Sequence, residues 1–262
     1  MLRNPFALGV ALASLAAVEP AHAQTTVSGF GEPRQFIVSA DRLFGLYFWS
    51  MKTVPDVPPM NPMGTQAVRD SGTEIDFLFG SDAAPVGGNG APIATVPVYS
   101  APQLGLDYVF GPGITVGGSL GYLHRGSSRE QTAVNGVITS RDMPSGHAFL
   151  FHPRGGYVFD FTPLLSVWAR GGITYFFASS EGTNVTGTTT TRVSVNGFAL
   201  TLDPSLVITP LPHLGITVGP MLDLPLGGGS TTETTNGAVT VSTGASFKVT
   251  NFGLAAGALA YF

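Results

Sequence analysis

The fold turns on Pro102-Gln103-Leu104-Gly105-Leu106-Asp107-Tyr108-Val109-Phe110-Gly111-Pro112-Gly113-Ile114-Thr115-Val116-Gly117-Gly118-Ser119-Leu120-Gly121-Tyr122. Leu104, Leu106, Tyr108 and Phe110 recur at every second position, with Gln103, Gly105 and Asp107 between them. Ile114, Val116, Leu120 and Tyr122 alternate in the same way with Thr115, Gly117, Ser119 and Gly121. A period of two belongs to a strand with two unlike faces, and Gly111-Pro112-Gly113 allows only a tight turn between two such strands. The stretch is a β-hairpin, apolar on one face and small or polar on the other.

Outward from this hairpin the same period predicts strands over 35–49, 149–161, 164–177, 193–208, 212–226 and 247–262, eight in all with the two above. Their connections alternate. Those at 110–114, 160–164 and 209–213 are short and contain proline, whereas those at 50–99, 125–145, 179–192 and 227–246 are long and rich in Gly, Ser, Thr and Asn. Short turns at one end and long loops at the other describe an up-and-down antiparallel transmembrane β-barrel with periplasmic turns and extracellular loops. Ile75, Phe77 and Phe79 also alternate within 73–80, which leaves a ten-stranded ring open; the preferred reading is an extension of the first hairpin above the membrane.

Composition points the same way. Charged residues make up 11% of the 262 residues, against 35 Gly and 20 Pro, and soluble domains carry roughly 25% charged residues. Residues 1–23 read as a secretory signal: Arg3, an apolar core from Phe6 to Val18, and Ala21-His22-Ala23 as a cleavage site before Gln24. The barrel domain is then 24–262. The chain has no cysteine, hence no disulfide and no lipidated N-terminal Cys. Residues 204–222 lack charge, but Pro204, Pro210, Pro212 and Pro220 interrupt them, and proline obstructs a helix.

The choice between a lipocalin-like soluble barrel and a membrane barrel rests on which face is apolar. Eight strands leave room only for side chains or one small ligand. The Gly, Ser and Thr set fits that cramped interior, and Leu104, Leu106, Ile173, Leu200, Leu202, Ile216, Val218 and Leu254 fit a lipid-facing band. Aromatic residues gather near strand ends, as interfacial girdles require: Phe36, Tyr108, Tyr157 and Phe262 at the turn end, and Trp49, Tyr122 and Tyr175 at the loop end.

Phe252, Leu254, Ala256, Ala258, Ala260 and Phe262 share one face of the last strand. That pattern resembles the C-terminal strand signal of outer-membrane proteins, although Ala260 stands where an aromatic is usual. With the signal segment and the alternation of turns and loops, the chain resembles the small bacterial outer-membrane barrels, the group of the OmpA transmembrane domain, OmpX-like and opacity-type proteins. The resemblance covers 34–262. It implies the outer membrane with its lipid and lipopolysaccharide, and a handover to the barrel-assembly machinery through the strand ending at Phe262.

The inward phase sets Asp41, Arg154, Arg170 and Asp203 at similar depth. Buried charges are costly unless paired, so these four are expected to form a lumen network, with His152, Trp168, Thr174 and Asn251 around it, Asp107 lower and Asp223 higher. Arg42 breaks the pattern, because strict alternation aims it at lipid at a cost of roughly 2–4 kcal/mol. Either a bulge at Asp41-Arg42 turns both side chains inward or the register differs.

Signals for chemistry are weak. Gly117-Gly118-Ser119-Leu120-Gly121 matches G-x-S-x-G, but no helix follows to make a nucleophile elbow. His124, His147, His152 and His213 show no metal-ligand spacing, so no metal or cofactor is expected. A net charge of -4 without a basic patch sets nucleic acid aside. The leading expectation is a non-enzymatic surface barrel whose long loops meet an extracellular ligand on a rigid platform, with the first loop, 50–99 (Pro55, Pro58, Pro59, Met60, Pro62, Met63), the most distinctive candidate contact surface. A narrow porin-like channel is the alternative. A lipid-modifying enzyme is third, with His124 beside Ser127, Ser128 and Glu130 as its nearest candidate.

Overall fold

In a computed structural model, described over residues 29–56, 68–77, 99–125, 129–134, 137–142, 145–183 and 189–262, the chain is all strand and turn. The segment read as a secretory signal, the Pro/Met stretch at 57–67 and Ser127-Ser128 lie outside these residues. In chain order the strands are β1 (Phe36–Pro55), β2 (Val68–Phe77), β3 (Gln103–Val109), β4 (Ile114–Arg125), β5 (Arg129–Val134), β6 (Val137–Asp142), β7 (Ser145–Thr162), β8 (Leu165–Thr183), β9 (Thr189–Leu202), β10 (Ser205–Leu211), β11 (Leu214–Asn236) and β12 (Val239–Tyr261).

Antiparallel pairing runs β1-β3-β4-β7-β8, then β9 with β10, then β11 and β12, and β12 returns to β1. The sheet therefore closes on itself and has no edge along its lower half. Phe36 and Phe262 exchange both backbone hydrogen bonds at 3.0 Å across the seam. β9 and β10 are one wall strand interrupted at Asp203-Pro204, where proline offers no N–H to the ladder, so the ring has eight members. β2 is not a ninth. It lies along β1 from Phe44 to Thr53, directly above the stretch, Phe36 to Asp41, that β3 occupies. β5 and β6 form a separate two-stranded ribbon in the connection between β4 and β7.

The strands outrun their expected ends. The segments at 179–192 and 227–246 are mostly ladder, with β11 and β12 paired up to Asn236 and Val239. The 23 residues of β11 span roughly 75 Å at about 3.3 Å each. Tilted by about 40°, they rise roughly 55 Å, twice the apolar band of about 25 Å typical of these barrels. Ser, Thr and Gly dominate both faces of these upper ends, and with water on both sides no hydrophobic period marks them as strand.

Burial is inside-out. Leu104, Leu106, Val116, Ile173, Ile216, Val218 and Leu254 are exposed on the outer wall, while Asp41, Asp107, Arg154, Arg170 and Asp223 are almost fully buried within. The interior is less uniformly polar than the alternation suggests, because two apolar clusters flank its charged middle. At the turn end, Phe30 reaches inward from the segment before β1 and packs edge-on to Trp168 at 5.6 Å and Tyr261 at 5.5 Å, beside Ile37, Val109 and Val158. Towards the loop end, Tyr99, Leu150, Phe176 and Phe247 meet inside the wall.

Candidate functional site: the charged layer of the lumen

Between those clusters the wall strands aim seven charged side chains at one another. Asp41 stands at the centre: Oδ2 accepts from Arg154 Nη1 at 2.6 Å, and Oδ1 accepts from Arg170 Nη1 at 2.9 Å. Arg154 also grips Asp107 through Nε at 3.0 Å and Nη2 at 2.6 Å, the bidentate geometry that a guanidinium offers a carboxylate. Arg170 reaches Asp203 through Nη2 at 2.7 Å. Ser39 donates to Asp41 and Ser205 to Asp203, filling further lone pairs. Asp107, expected below the network, is one of its members.

Trp168 lies beneath. Its ring centroid is 4.4 Å from the Arg170 guanidinium carbon and 5.5 Å from that of Arg154, and Nε1 donates to Thr115 at 3.0 Å. One aromatic ring thus meets two cations, and its own polar atom is satisfied.

Arg42 completes the layer through a bulge. Ala40 pairs with Ala258 and Phe44 with Ala256, so Asp41, Arg42 and Leu43 stand opposite Gly257 alone. Arg42 takes a left-handed φ of 58°, and both Asp41 and Arg42 point inward. Gly257 is what admits this fold of the chain, since a Cβ there would lie 2.4 Å from the Ala40 carbonyl oxygen. Arg42 reaches the Tyr99 carbonyl and lies 3.5 Å from Asp223. Thr201 and Asn251 donate to Asp223 at 2.6 and 3.2 Å, and Thr174 meets Thr201 at 2.6 Å. The layer holds four carboxylates and three guanidiniums rather than the balanced four charges read from the sequence. His152 is buried at this level, and neither its Nε2 nor Asn251 Oδ1 has a partner among the described residues. Ser119 is buried too and donates to Gln103.

The outer rows hold the aromatics. Phe36 packs on Tyr108 at 5.0 Å, Tyr157 on Phe159 at 4.5 Å and Tyr175 on Phe198 at 5.0 Å, while Tyr122 and Phe262 are exposed. Trp49 is a correction. It pairs with Asn251 in the ladder and shares that residue's inward phase, lying against Gly72 of β2 rather than in the outer girdle. The outward aromatic of that pair is Phe48. Pairing also brings together residues that linear spacing hides, because His124 of β4 stands directly opposite His147 of β7. Among the described residues no three His, Cys, Asp or Glu side chains converge as a metal cage.

A closed antiparallel barrel, apolar outside and charged within, defines the class of small bacterial outer-membrane β-barrel proteins. Among solved structures the chain is similar to the outer membrane protein OprG from Pseudomonas aeruginosa, at 12% identity and a TM-score of 0.51, with 88% of this chain and 97% of that one covered. Weaker likenesses are a major outer membrane protein from Thermus thermophilus (12% identity, TM-score 0.46, 84% and 99% covered) and Ail, the attachment invasion locus protein of Yersinia pestis (15%, 0.34, 88% and 100%). No family model and no curated relative matches the chain.

Proposed function

We propose that this chain is an integral outer-membrane barrel whose lumen is plugged and whose work is done by the strands and loops standing above the membrane. One observation carries the reading: Arg154 and Arg170 span the interior from two wall strands to Asp41, Asp107 and Asp203, above a floor of Trp168 and Phe30. A layer of opposite charges in direct contact has no room for a hydrated ion, and each contact would have to break for one to pass. The exposed apolar wall supports lipid and lipopolysaccharide as its surroundings, and the last strand ending in exposed Phe262 suits recognition by the assembly machinery. The outer ligand would meet a rigid platform formed by β8, β9, β11 and β12. No catalytic role is assigned.

The porin-like alternative draws on polar atoms of His152, Gln103 and Asn251 that have no partner among the described residues at the level of the charged layer, which suit a water-lined constriction. Planar-bilayer recording separates the two. Near-zero conductance for the wild type and for Arg154→Ala and Arg170→Ala is expected of a plug; ion-selective conductance that either substitution alters would establish the channel.

A further inference from the structure

The outward residues of β4, β7, β8 and β9 form successive rows across the wall. Tyr122, Phe149 and Phe177 make one row. Immediately above it come His124, His147, Ser179 and Ser194, and above these Ser145, Glu181 and Arg192. The two upper rows and Phe177 line one outward recess of about 400 Å³. His124 and His147 are both exposed and are direct partners across the β4–β7 ladder. Directly opposed residues of an antiparallel pair hold their Cβ atoms roughly 4.5–5.5 Å apart, a span that lets two imidazoles converge on one ion at about 2.0–2.1 Å from each nitrogen. Phe177 steadies one of them, its ring 5.7 Å from that of His147 at 39°.

The charge around the recess does not oppose a cation. Arg192 is already engaged, giving both Nε (3.0 Å) and Nη2 (2.6 Å) to the single oxygen Oε2 of Glu181. Glu233 stands opposite Arg192 in the next ladder. Glu233 lies outside the lining, whose one carboxylate and one guanidinium neutralise each other, so the lining leaves no unpaired guanidinium to hold a phosphate or repel a metal ion.

We infer that His124 and His147 form a two-imidazole site for a borderline divalent transition-metal ion of the zinc, nickel or copper type, with water completing its shell. Imidazole pairs favour these ions over magnesium or calcium, which prefer oxygen. The position gives the site a purpose. The chain leaves the wall just after His124 and returns just before His147, carrying the β5–β6 ribbon between them. A bound ion would join both legs of that excursion at its neck and fix the direction in which the ribbon points.

The test uses the whole barrel in detergent micelles without an affinity tag. Nickel(II) titrated by calorimetry should bind once per chain. His124→Ala and His147→Ala should each weaken binding at least as much as loss of an outer-shell partner does, about 10- to 100-fold. His213→Ala, at the opposite rim, should leave it unchanged. Copper(II) should give a paramagnetic resonance spectrum of two nitrogen ligands, reduced to one in either variant. Both histidines are exposed, so each variant should keep the heat-dependent electrophoretic shift of a folded barrel. Absence of saturable binding by the wild type, or binding that survives either histidine substitution, would overturn the inference.

Discussion

Replacing Arg154 by Met tests whether the lumen charges hold the barrel together or merely occupy it. Met keeps the length and packing of the stem but removes the guanidinium. Asp41 would keep Arg170 and Ser39 as partners, whereas both oxygens of Asp107 bond Arg154 alone among the described residues. The substitution therefore strands one carboxylate that is 1% exposed. Breaking a buried pair from one side costs about 3–5 kcal/mol, most of it the uncompensated charge. With a urea slope of roughly 2–3 kcal/mol/M, the unfolding midpoint should fall by about 1–2.5 M. The decisive measurement is the second step: Asp107→Asn added to Arg154→Met removes the stranded charge and should restore about 2 kcal/mol. Fluorescence follows the transition well, because Trp168 touches the layer and Trp49→Phe silences the other of the two tryptophans. A loss below about 1 kcal/mol for Arg154→Met, under the range for a broken buried pair, or a double variant weaker than the single, would refute the reasoning.

Three further outcomes follow from packing. A Cβ on Gly219 would sit 2.0 Å from the Pro204 carbonyl oxygen, so Gly219→Ala must shift the backbone and should cost about 1–3 kcal/mol; Gly227→Ala, with open space around it, should change the urea midpoint little. Phe30→Ala should cost about 3–5 kcal/mol as a buried aromatic and shift Trp168 emission to longer wavelength, and unchanged emission would contradict its edge-on contact. Replacing residues 231–244 by Asn-Gly leaves Ser230 and Ala245 as the last pair of the β11–β12 hairpin; the folded form should persist on unheated gels, and its loss would contradict the view of that hairpin as a projection.

How much of this was legible depended on whether the two faces of a strand differ in polarity. Where lipid meets one face and small or polar side chains the other, as at Leu104 to Tyr108, the period of two gave strand, face and turn together. At the loop end the signal failed in two opposite ways. Thr231 to Thr235 are polar on both faces, so the ladder they form left no period to read. Leu150 and Phe176 lie on the inner face of strands whose outer neighbours, Phe149, Phe151, Tyr175 and Phe177, are also apolar, which hid a core cluster inside what looked like a polar lumen. Asp41, Arg154, Arg170 and Asp203 were recoverable because an isolated charge within an alternating strand must face inward. Arg42 needed the bulge, and the bulge depends on Gly257 across the seam. The meeting of His124 and His147 is a property of register alone, which spacing along one chain does not encode.

The break between Leu202 and Ser205 has a mechanical side. A ring of hydrogen-bonded strands behaves as a stiff hoop only if every joint is made, and Pro204 leaves one joint short of a backbone donor. The gap falls beside Arg170, whose carbonyl accepts the Asp203 N–H at 2.9 Å while its guanidinium holds the Asp203 carboxylate at 2.7 Å. Arg170 therefore acts as a rivet, joining main chain and side chain across a place where the hoop would otherwise flex, so the same side chain that fills the lumen also stiffens its wall.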